Sequence, residues 1–244
     1  MSSLLKLKME QWRKETNRAI KIMTFGASES HFASHSHARP TWFQWFEKSL
    51  RCNGGPHFIT INCGINGNSV VELCERFDRD VLSFRPDVVI ITMGGNDAKK
   101  IVPADEFEEK LSYLCERVKS IGGIPVLQTL YSPVMHDYPK DYNERFPCYM
   151  QLNKKVAEAQ KIPLIDSYRI FGSYYCAEPE EYTKTIMTDD IHVNPIGNAV
   201  WGTFAAREFG LPDPDLDELK EPVYEVIERL KVFAEVPEKI TTYY

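Results

Sequence analysis

Three polar residues of this chain have the types and the spacing that nucleophilic catalysis needs. Ser28 follows an apolar run, residues 20–25, and a single glycine, Gly26. A serine hydroxyl is a poor nucleophile at neutral pH unless a histidine accepts its proton. Far along the chain, Asp189 stands three residues before His192, a spacing that lets the carboxylate hold one imidazole nitrogen while the other faces outward. These residues are the parts of an acyl-transfer site.

The tetrahedral intermediate of acyl transfer carries a negative oxygen, which needs hydrogen-bond donors. Candidate donors are the backbone N–H groups of Ser28 and Gly67 and the side-chain amide of Asn96. Gly67 belongs to a glycine-bearing loop, residues 63–69, and Asn96 to a Gly-Gly-Asn-Asp block, residues 94–97. Each feature alone is more typical of a turn than of a catalytic site, so the prediction depends on their combination.

The carboxylate partner of the histidine has two candidates, because Asp190 directly follows Asp189. The Asp-x-x-His spacing selects Asp189, and it predicts that the Asp190 side chain points away from the imidazole. A histidine shortly before Pro195 is also typical of a helix start, so His192 taken alone has a purely structural interpretation.

The segment after Ser28 contains His31, His35 and His37. Their i, i+4 and i, i+2 spacings are compatible with a metal site. No carboxylate or cysteine follows within the cluster, which favours a polar loop beside the nucleophile. We therefore expect no metal and no cofactor.

Short apolar runs alternate with helical patterns over most of the chain. The predicted strands are 20–25, 58–62, 87–93, 124–130 and 162–166, and the predicted helices are 4–18, 40–50, 70–84, 103–121, 147–160 and 196–209. Such alternation predicts an α/β fold with a doubly wound parallel sheet of about five strands and right-handed crossovers. Ligands bind at the carboxyl ends of such strands, so Ser28, Gly67 and Asn96 are expected at one edge.

The remaining segments allow alternatives. Residues 131–146 carry three tyrosines, two prolines and His136, and they form either a pocket wall or lid, or a surface excursion. Residues 171–188 are predicted to be irregular. The tail 215–244 holds one apolar stripe at helical spacing, which covers the rest of the protein or meets a second subunit; the first is favoured. The aromatic residues of 40–50 are predicted to be core.

Composition limits the function classes. The 244 residues carry a net charge of −6 with dispersed Lys and Arg, so nucleic acid is a poor partner. No apolar run approaches the ~20 residues of a membrane span, and residues 1–18 do not resemble a signal peptide. Six cysteines without a CxxC pair indicate reduced packing thiols. The expectation is a soluble cytoplasmic protein with one domain, residues 1–244, made of a core at 20–210 and a helical extension at 211–244.

With these residues in place, the sequence resembles the SGNH hydrolases, also called GDSL esterases and lipases. The matching blocks are residues 26–28, 62–67, 94–97 and Asp189-x-x-His192, in the family's order. The resemblance implies a three-layer, flavodoxin-like α/β/α fold, ester hydrolysis through an acyl-enzyme, and no metal. It makes Ser28 the nucleophile, His192 the base and Asp189 its partner, with Ser28, Gly67 and Asn96 as the oxyanion hole.

One departure from the family is Ala27, which stands where an aspartate usually precedes the serine. The triad does not use that aspartate, so the change concerns the substrate subgroup and the rigidity of the turn. The expected activity is hydrolysis of a small-molecule ester with a short acyl group, such as an O-acetyl group on a sugar. Alternatives are an acyltransferase with the same triad and a non-catalytic binding module. A nucleotide-binding protein is disfavoured because no Gly-x-Gly-x-x-Gly or P-loop follows any strand.

Overall fold

The computed structural model describes residues 2–31, 39–134 and 140–234. Within these residues the strands are β1 (Ile20–Gly26), β2 (Phe58–Gly64), β3 (Val88–Thr92), β4 (Ile124–Gln128) and β5 (Leu164–Ile165). The α-helices are α1 (Ser2–Trp12), α2 (Trp42–Asn53), α3 (Val70–Phe77), α4 (Gly95–Lys100), α5 (Ala104–Ser120), α6 (Lys140–Gln160), α7 (Ser167–Ala177), α8 (Pro179–Ile186), α9 (Pro195–Glu208) and α10 (Lys220–Ala234). A π-helical turn, Asp78–Leu82, extends α3, and a 3₁₀ turn, Asp217–Leu219, precedes α10.

The described strands form one parallel sheet in the order β2-β1-β3-β4-β5. In the register, Gly26 at the end of β1 lies opposite Gly64 of β2 and Thr92 of β3. Three strands therefore end at the same level, and the loops that follow them leave from one edge. The order reverses between β1 and β3, which is the switch point where doubly wound sheets bind ligands. The predicted parallel sheet is confirmed.

The helices pack in two groups, as expected for a sheet covered on both faces. In one group, α5 packs on α3 and on α6, and α4 also packs on α6. In the other group, α9 contacts α1, α2, α8 and α10, and α10 also packs on α7. The predicted core aromatics of α2 are buried, and the rings of Trp42 and Trp201 lie 5.3 Å apart. Gly202 permits the close approach of α9 to α2, because a Cβ there would lie 2.4 Å from the Trp42 carbonyl oxygen.

The C-terminal apolar stripe packs within the chain. Val223, Ile227 and Leu230 of α10 are buried, and Phe233 stacks on Tyr174 with ring centroids 5.7 Å apart. Intramolecular packing, the favoured alternative, is therefore confirmed for the described part of this tail.

Residues 171–188 are not irregular, and that prediction was wrong. They contribute to α7 and α8. The Asp166 side chain accepts the Arg169 N–H and caps α7, and Pro179 begins α8. Phe171 and Tyr182 are fully buried. Tyrosine and threonine have low helix propensity, so the pattern looked irregular although tertiary packing makes it helical.

Several predicted bounds also differ. The first helix, predicted at residues 4–18, is Ser2–Trp12. The fifth strand is only Leu164–Ile165, because Pro163 has no N–H for the ladder and Asp166 already caps the next helix. Helix α6 begins at Lys140 rather than near Pro147, which lies inside it. Buried Tyr142 and Phe146 lie on the extra turns, and their packing outweighs the amide donor that the proline removes.

The six cysteines all lie within the described residues and are free thiols. Cys115 is buried, but Cys52, Cys148 and Cys176 are exposed, so the expectation that most of them are packing thiols was wrong. Across the described residues no helix has both the length and the hydropathy needed to cross a membrane.

Candidate active site

The turn that carries Ser28 starts where β1 ends. The amides of Ser30 and His31 both donate to the Ala27 carbonyl, at 3.2 and 3.1 Å, which folds the chain back directly after the strand. Beneath the turn, the hydroxyls of Thr24 and Ser30 lie 3.0 Å apart and are buried. Ala27 itself is buried. Backbone hydrogen bonds and this hydroxyl pair therefore hold the turn without a carboxylate at position 27.

The loop that carries His192 is closed by an antiparallel bridge between Met187 and Val193. The Thr188 amide donates to the His192 carbonyl at 2.8 Å, so the loop doubles back on itself. After the loop, the Asn194 side chain accepts the Gly197 N–H and caps α9. The loop is thus fixed at both ends, which fixes the imidazole.

The carboxylate that reaches the imidazole is that of Asp189. Its Oδ2 lies 2.9 Å from His192 Nδ1, and its Oδ1 accepts the backbone amides of Ile191 and His192 at 2.9 and 2.7 Å. Partial burial acts to raise the pKa of Asp189, but the hydrogen bonds from the imidazole and the two amides outweigh it, and the pKa lies below its ordinary value. The adjacent Asp190 is placed through its backbone, because its carbonyl accepts the Val134 amide at 2.8 Å.

The second imidazole nitrogen faces the serine. His192 Nε2 lies 3.3 Å from Ser28 Oγ, across 164 residues of sequence. This distance is longer than an ideal O–H···N hydrogen bond, and such contacts shorten when substrate binds. The geometry forms a continuous line from the serine oxygen through the ring to a carboxylate that stays ionised.

The candidate oxyanion donors follow β1, β2 and β3. The Asn96 side-chain nitrogen donates one hydrogen to the Asn68 carbonyl at 2.9 Å, which orients the amide and leaves its second hydrogen available. Neither the Ser28 nor the Gly67 amide donates a hydrogen bond to another described residue. Ser28 and Asn96 line one pocket with His192, whereas Gly67 is exposed in the neighbouring loop and does not line it.

Arg76 is a buried residue that the sequence did not single out. Its guanidinium donates to the Gly26 carbonyl at 3.0 Å and to Asn68 Oδ1 at 2.7 Å, and it pairs with Asp80 at 2.8 Å. It therefore ties the turn before Ser28 to the residue whose carbonyl orients Asn96. An arginine between Leu73 and Phe77, on an apolar helical pattern, was the available signal.

Asp97 is the second residue that sequence reasoning left without a role. Its buried carboxylate accepts the Val70 amide at 2.8 Å and the Gly94 amide at 3.0 Å. Gly94 has φ +128°, a conformation that other residues rarely adopt. Burial raises the pKa of Asp97 to about 6, although its amide donors oppose the rise. This carboxylate joins the start of α3 to Gly94, which directly precedes α4, the helix that carries Asn96.

The pocket beside Ser28 is small, with a cavity volume of about 30 Å³. Aromatic side chains from the 131–146 segment, Tyr131, Tyr142 and Phe146, form part of its wall. The hydroxyl of Tyr131 donates to the Ile191 carbonyl at 2.5 Å, which ties this wall to the histidine loop. The pocket-wall alternative for this segment therefore agrees with the described residues.

His35, His37 and His136 lie outside the described residues. His31 is described and partly buried. Among the described residues no group of three His, Cys, Asp or Glu side chains is arranged to hold a metal ion.

Comparison with known proteins places the chain in a family. The GDSL-like lipase/acylhydrolase family matches residues 23–200. An acetylxylan esterase of Geobacillus stearothermophilus is 26% identical over 161 residues, 62% of this chain and 71% of the relative. An arylesterase of Vibrio mimicus is 25% identical over 154 residues, 63% of this chain and 71% of the relative. An uncharacterised lipoprotein of Bacillus subtilis is 27% identical over 201 residues, 72% of this chain and 81% of the relative.

Solved structures agree in fold. The crystal structure of the Geobacillus acetylxylan esterase superposes with a TM-score of 0.68 at 20% identity, covering 82% of this chain and 98% of that one. A lipase/acylhydrolase of Enterococcus faecalis gives 0.63 at 21% identity, covering 80% and 99%. The predicted SGNH resemblance is confirmed: the chain belongs to the GDSL-like lipase/acylhydrolase family and is a hydrolase that acts on ester bonds.

Proposed function

We propose that the protein hydrolyses carboxylic esters of short acyl groups through an acyl-enzyme on Ser28. The observation that carries this proposal is the line from Ser28 Oγ to His192 Nε2, at 3.3 Å, and from His192 Nδ1 to Asp189, at 2.9 Å. A nucleophile, a base and an orienting carboxylate in that order are what acyl transfer to a serine requires.

In the first half-reaction, Ser28 Oγ attacks the ester carbonyl carbon while His192 Nε2 takes the hydroxyl proton. The ionised Asp189 stabilises the resulting imidazolium, and its pKa below the ordinary value keeps it ionised at neutral pH. The intermediate collapses when the C–O bond to the alcohol breaks, and the alcohol leaves with the proton from His192. The acyl group is then bonded to Ser28.

In the second half-reaction, His192 removes a proton from water, and the water oxygen attacks the acyl carbon. The second tetrahedral intermediate releases the carboxylic acid and returns the proton to Ser28. In both halves the oxyanion accepts hydrogen bonds from the Ser28 amide and from the free hydrogen of the Asn96 side chain. The Gly67 amide, which lies on the neighbouring loop outside this pocket, stays a predicted third donor. Arg76 and Asp97 hold the loops that position these donors.

The small pocket formed by the described residues, about 30 Å³, favours a short acyl group over a long chain. Its aromatic wall suits a carbohydrate or an aryl alcohol. The acetylxylan esterase and the arylesterase to which the chain is similar support the same two classes, and we favour O-acetylated carbohydrate. The cytoplasmic location and the absence of a cofactor remain predictions.

A panel of p-nitrophenyl esters of increasing chain length tests the proposal. We expect turnover to be highest for acetate and to vanish in Ser28→Ala, and a labelled phosphonate to attach at Ser28. Ser83→Ala, which removes an exposed hydroxyl bonded only to Arg79, is the matched control and should keep wild-type turnover. Unchanged turnover in Ser28→Ala, or label at another residue, would contradict the assignment.

A competing alcohol separates the hydrolase from a transferase with the same triad. The assay measures free acid and acylated alcohol in the presence of glycerol. We expect the free acid to dominate; a dominant acylated product would make the protein an acyltransferase.

A further inference from the structure

Glu29, directly after Ser28, is a carboxyl group in the pocket that the proposed reaction does not use. It lines the same pocket as Ser28 and His192. Its Oε1 lies against Gly95, the first residue of α4, because a Cβ built on Gly95 would lie 3.5 Å from it. Glu29 thus lies in the wall of the pocket that an ester bound to Ser28 would enter.

The Glu29 carboxyl has no side-chain hydrogen-bond partner within the described ranges. Its Oε2 is shielded from solvent and bonds to no described residue. Among the described residues, the donor that favours its ionised form is its own backbone amide. A shielded carboxylate oxygen without a donor is costly, and native proteins keep such groups mainly where a ligand or a function uses them.

Within the part of the chain that the structure describes, no neighbouring group satisfies this carboxyl. Asp97 is a like charge and can only repel it. The hydroxyl of Tyr131 is already donated to the Ile191 carbonyl. Lys99 lines the same pocket, but no ion pair joins its described side chain to Glu29. Burial raises the pKa of Glu29 to about 7, which is the expected consequence of a carboxyl enclosed without a partner.

We propose that Glu29 is a specificity-determining residue that accepts a hydrogen bond from a hydroxyl group of the substrate close to the scissile ester. The inference rests on the proposed function. A neutral hydroxyl fits better than an ammonium group, because the Lys99 side chain in the same pocket would repel a cation. A carboxyl accepts from a hydroxyl in both of its protonation states, so the recognition does not depend on a narrow pH range.

The physical consequence is discrimination against esters that have no hydroxyl. Such an ester fills the space around Glu29, removes water from the carboxyl and offers no donor in return. Sites built to bond a substrate hydroxyl reject analogues that lack it far more strongly than apolar sites reject an added group. For one contact in a partly open pocket we expect at least about a tenfold preference in kcat/KM.

Matched ester pairs test this preference and identify which part of the substrate carries the hydroxyl. On the alcohol side, 2-hydroxyethyl acetate is compared with propyl acetate. On the acyl side, ethyl glycolate is compared with ethyl propionate. The measured quantity is the ratio of kcat/KM within each pair, for the wild type, Glu29→Leu, Glu29→Gln and the control Glu225→Leu, an exposed glutamate of α10.

We expect the wild-type ratio to exceed about ten in one of the two pairs. Glu29→Leu should bring that ratio close to one, Glu29→Gln should keep part of it because the amide oxygen still accepts, and Glu225→Leu should leave it at the wild-type value. Wild-type ratios near one in both pairs would overturn the inference whether or not the leucine variant folds. A ratio that Glu29→Leu leaves unchanged would also overturn it. If the wild type hydrolysed none of the esters, the proposed function would fail and the inference with it.

Discussion

Replacing Asp189 by asparagine exchanges one oxygen of the carboxylate behind the base for an NH₂ group. The Oδ1 that accepts the amides of Ile191 and His192 at 2.9 and 2.7 Å has a counterpart in the amide oxygen, so the loop keeps both bonds. The other position, 2.9 Å from His192 Nδ1, becomes a donor. A donor there faces the Nδ1–H and favours the tautomer with its proton on Nε2, which cannot accept the Ser28 proton.

The expected loss follows from these two effects. The wrong tautomer and an unstabilised imidazolium together lower kcat about 10⁴-fold in a serine-protease triad. The Asp189 carboxylate is partly exposed, so water replaces part of its electrostatic effect on the ring. We therefore expect Asp189→Asn to lower kcat by between about 10 and 10⁴, with little change in KM.

The matched control is Asp190→Asn, the same change one position along the chain. The hydrogen bond from the Val134 amide to the carbonyl of residue 190 is a backbone bond, and the substitution leaves it in place. Both variants are assayed on p-nitrophenyl acetate at saturating concentration, with thermal unfolding to verify that they fold. If Asp190→Asn lowers kcat more than Asp189→Asn does, the wrong carboxylate has been assigned to the base.

Three further predictions address the oxyanion, the metal and the pocket carboxyl. Asn96→Ala should lower kcat by about 10²–10³ with a much smaller change in KM; a pure KM effect would mean that the amide binds ground-state substrate. EDTA should leave activity unchanged, and loss followed by recovery with zinc would assign a metal to His31, His35 and His37. Burial raises the pKa of Glu29 from 4.5 to about 7, so its contribution to stability is present below pH 4.5 and is lost as pH rises through 7. Glu29→Gln should therefore raise the free energy of unfolding, relative to the wild type, more at pH 8 than at pH 5. Urea unfolding should show a difference of up to about 3 kcal/mol between the two pH values. Equal effects of the substitution at both pH values would refute the buried carboxyl.

The sequence predicted the sheet well because buried parallel strands are continuous apolar runs. The run before Gly26 and the run at residues 87–93 are of this kind, and both are strands. It failed where packing decides the conformation. The helical turns around Phe171 and Tyr182 are stabilised by burial against α9 and α10, which local composition does not report. One domain for the whole chain stays a prediction.

Local sequence also limited what could be said of the site. The sequence shows the residue types of the triad candidates, Ser28, Asp189 and His192. It also predicts that Asp189 and His192 meet, because residues three apart lie on one turn. The role of Ala27 was open, and the structure describes a turn held by hydrogen bonds to its carbonyl.

Residue types and their order along the chain indicate the chemistry: which side chains can attack, accept a proton or donate to an oxyanion, and which strands they follow. The tertiary structure alone decided which of them meet. Ser28 and His192 are 164 residues apart and 3.3 Å apart in space, because the sheet order β2-β1-β3-β4-β5 brings distant loops to one edge. The buried contacts of Arg76 likewise arise only there, as does the enclosure of a Glu29 carboxyl that no described side chain pairs with. Burial and partnership depend on every element that surrounds a side chain, and no local spacing encodes them.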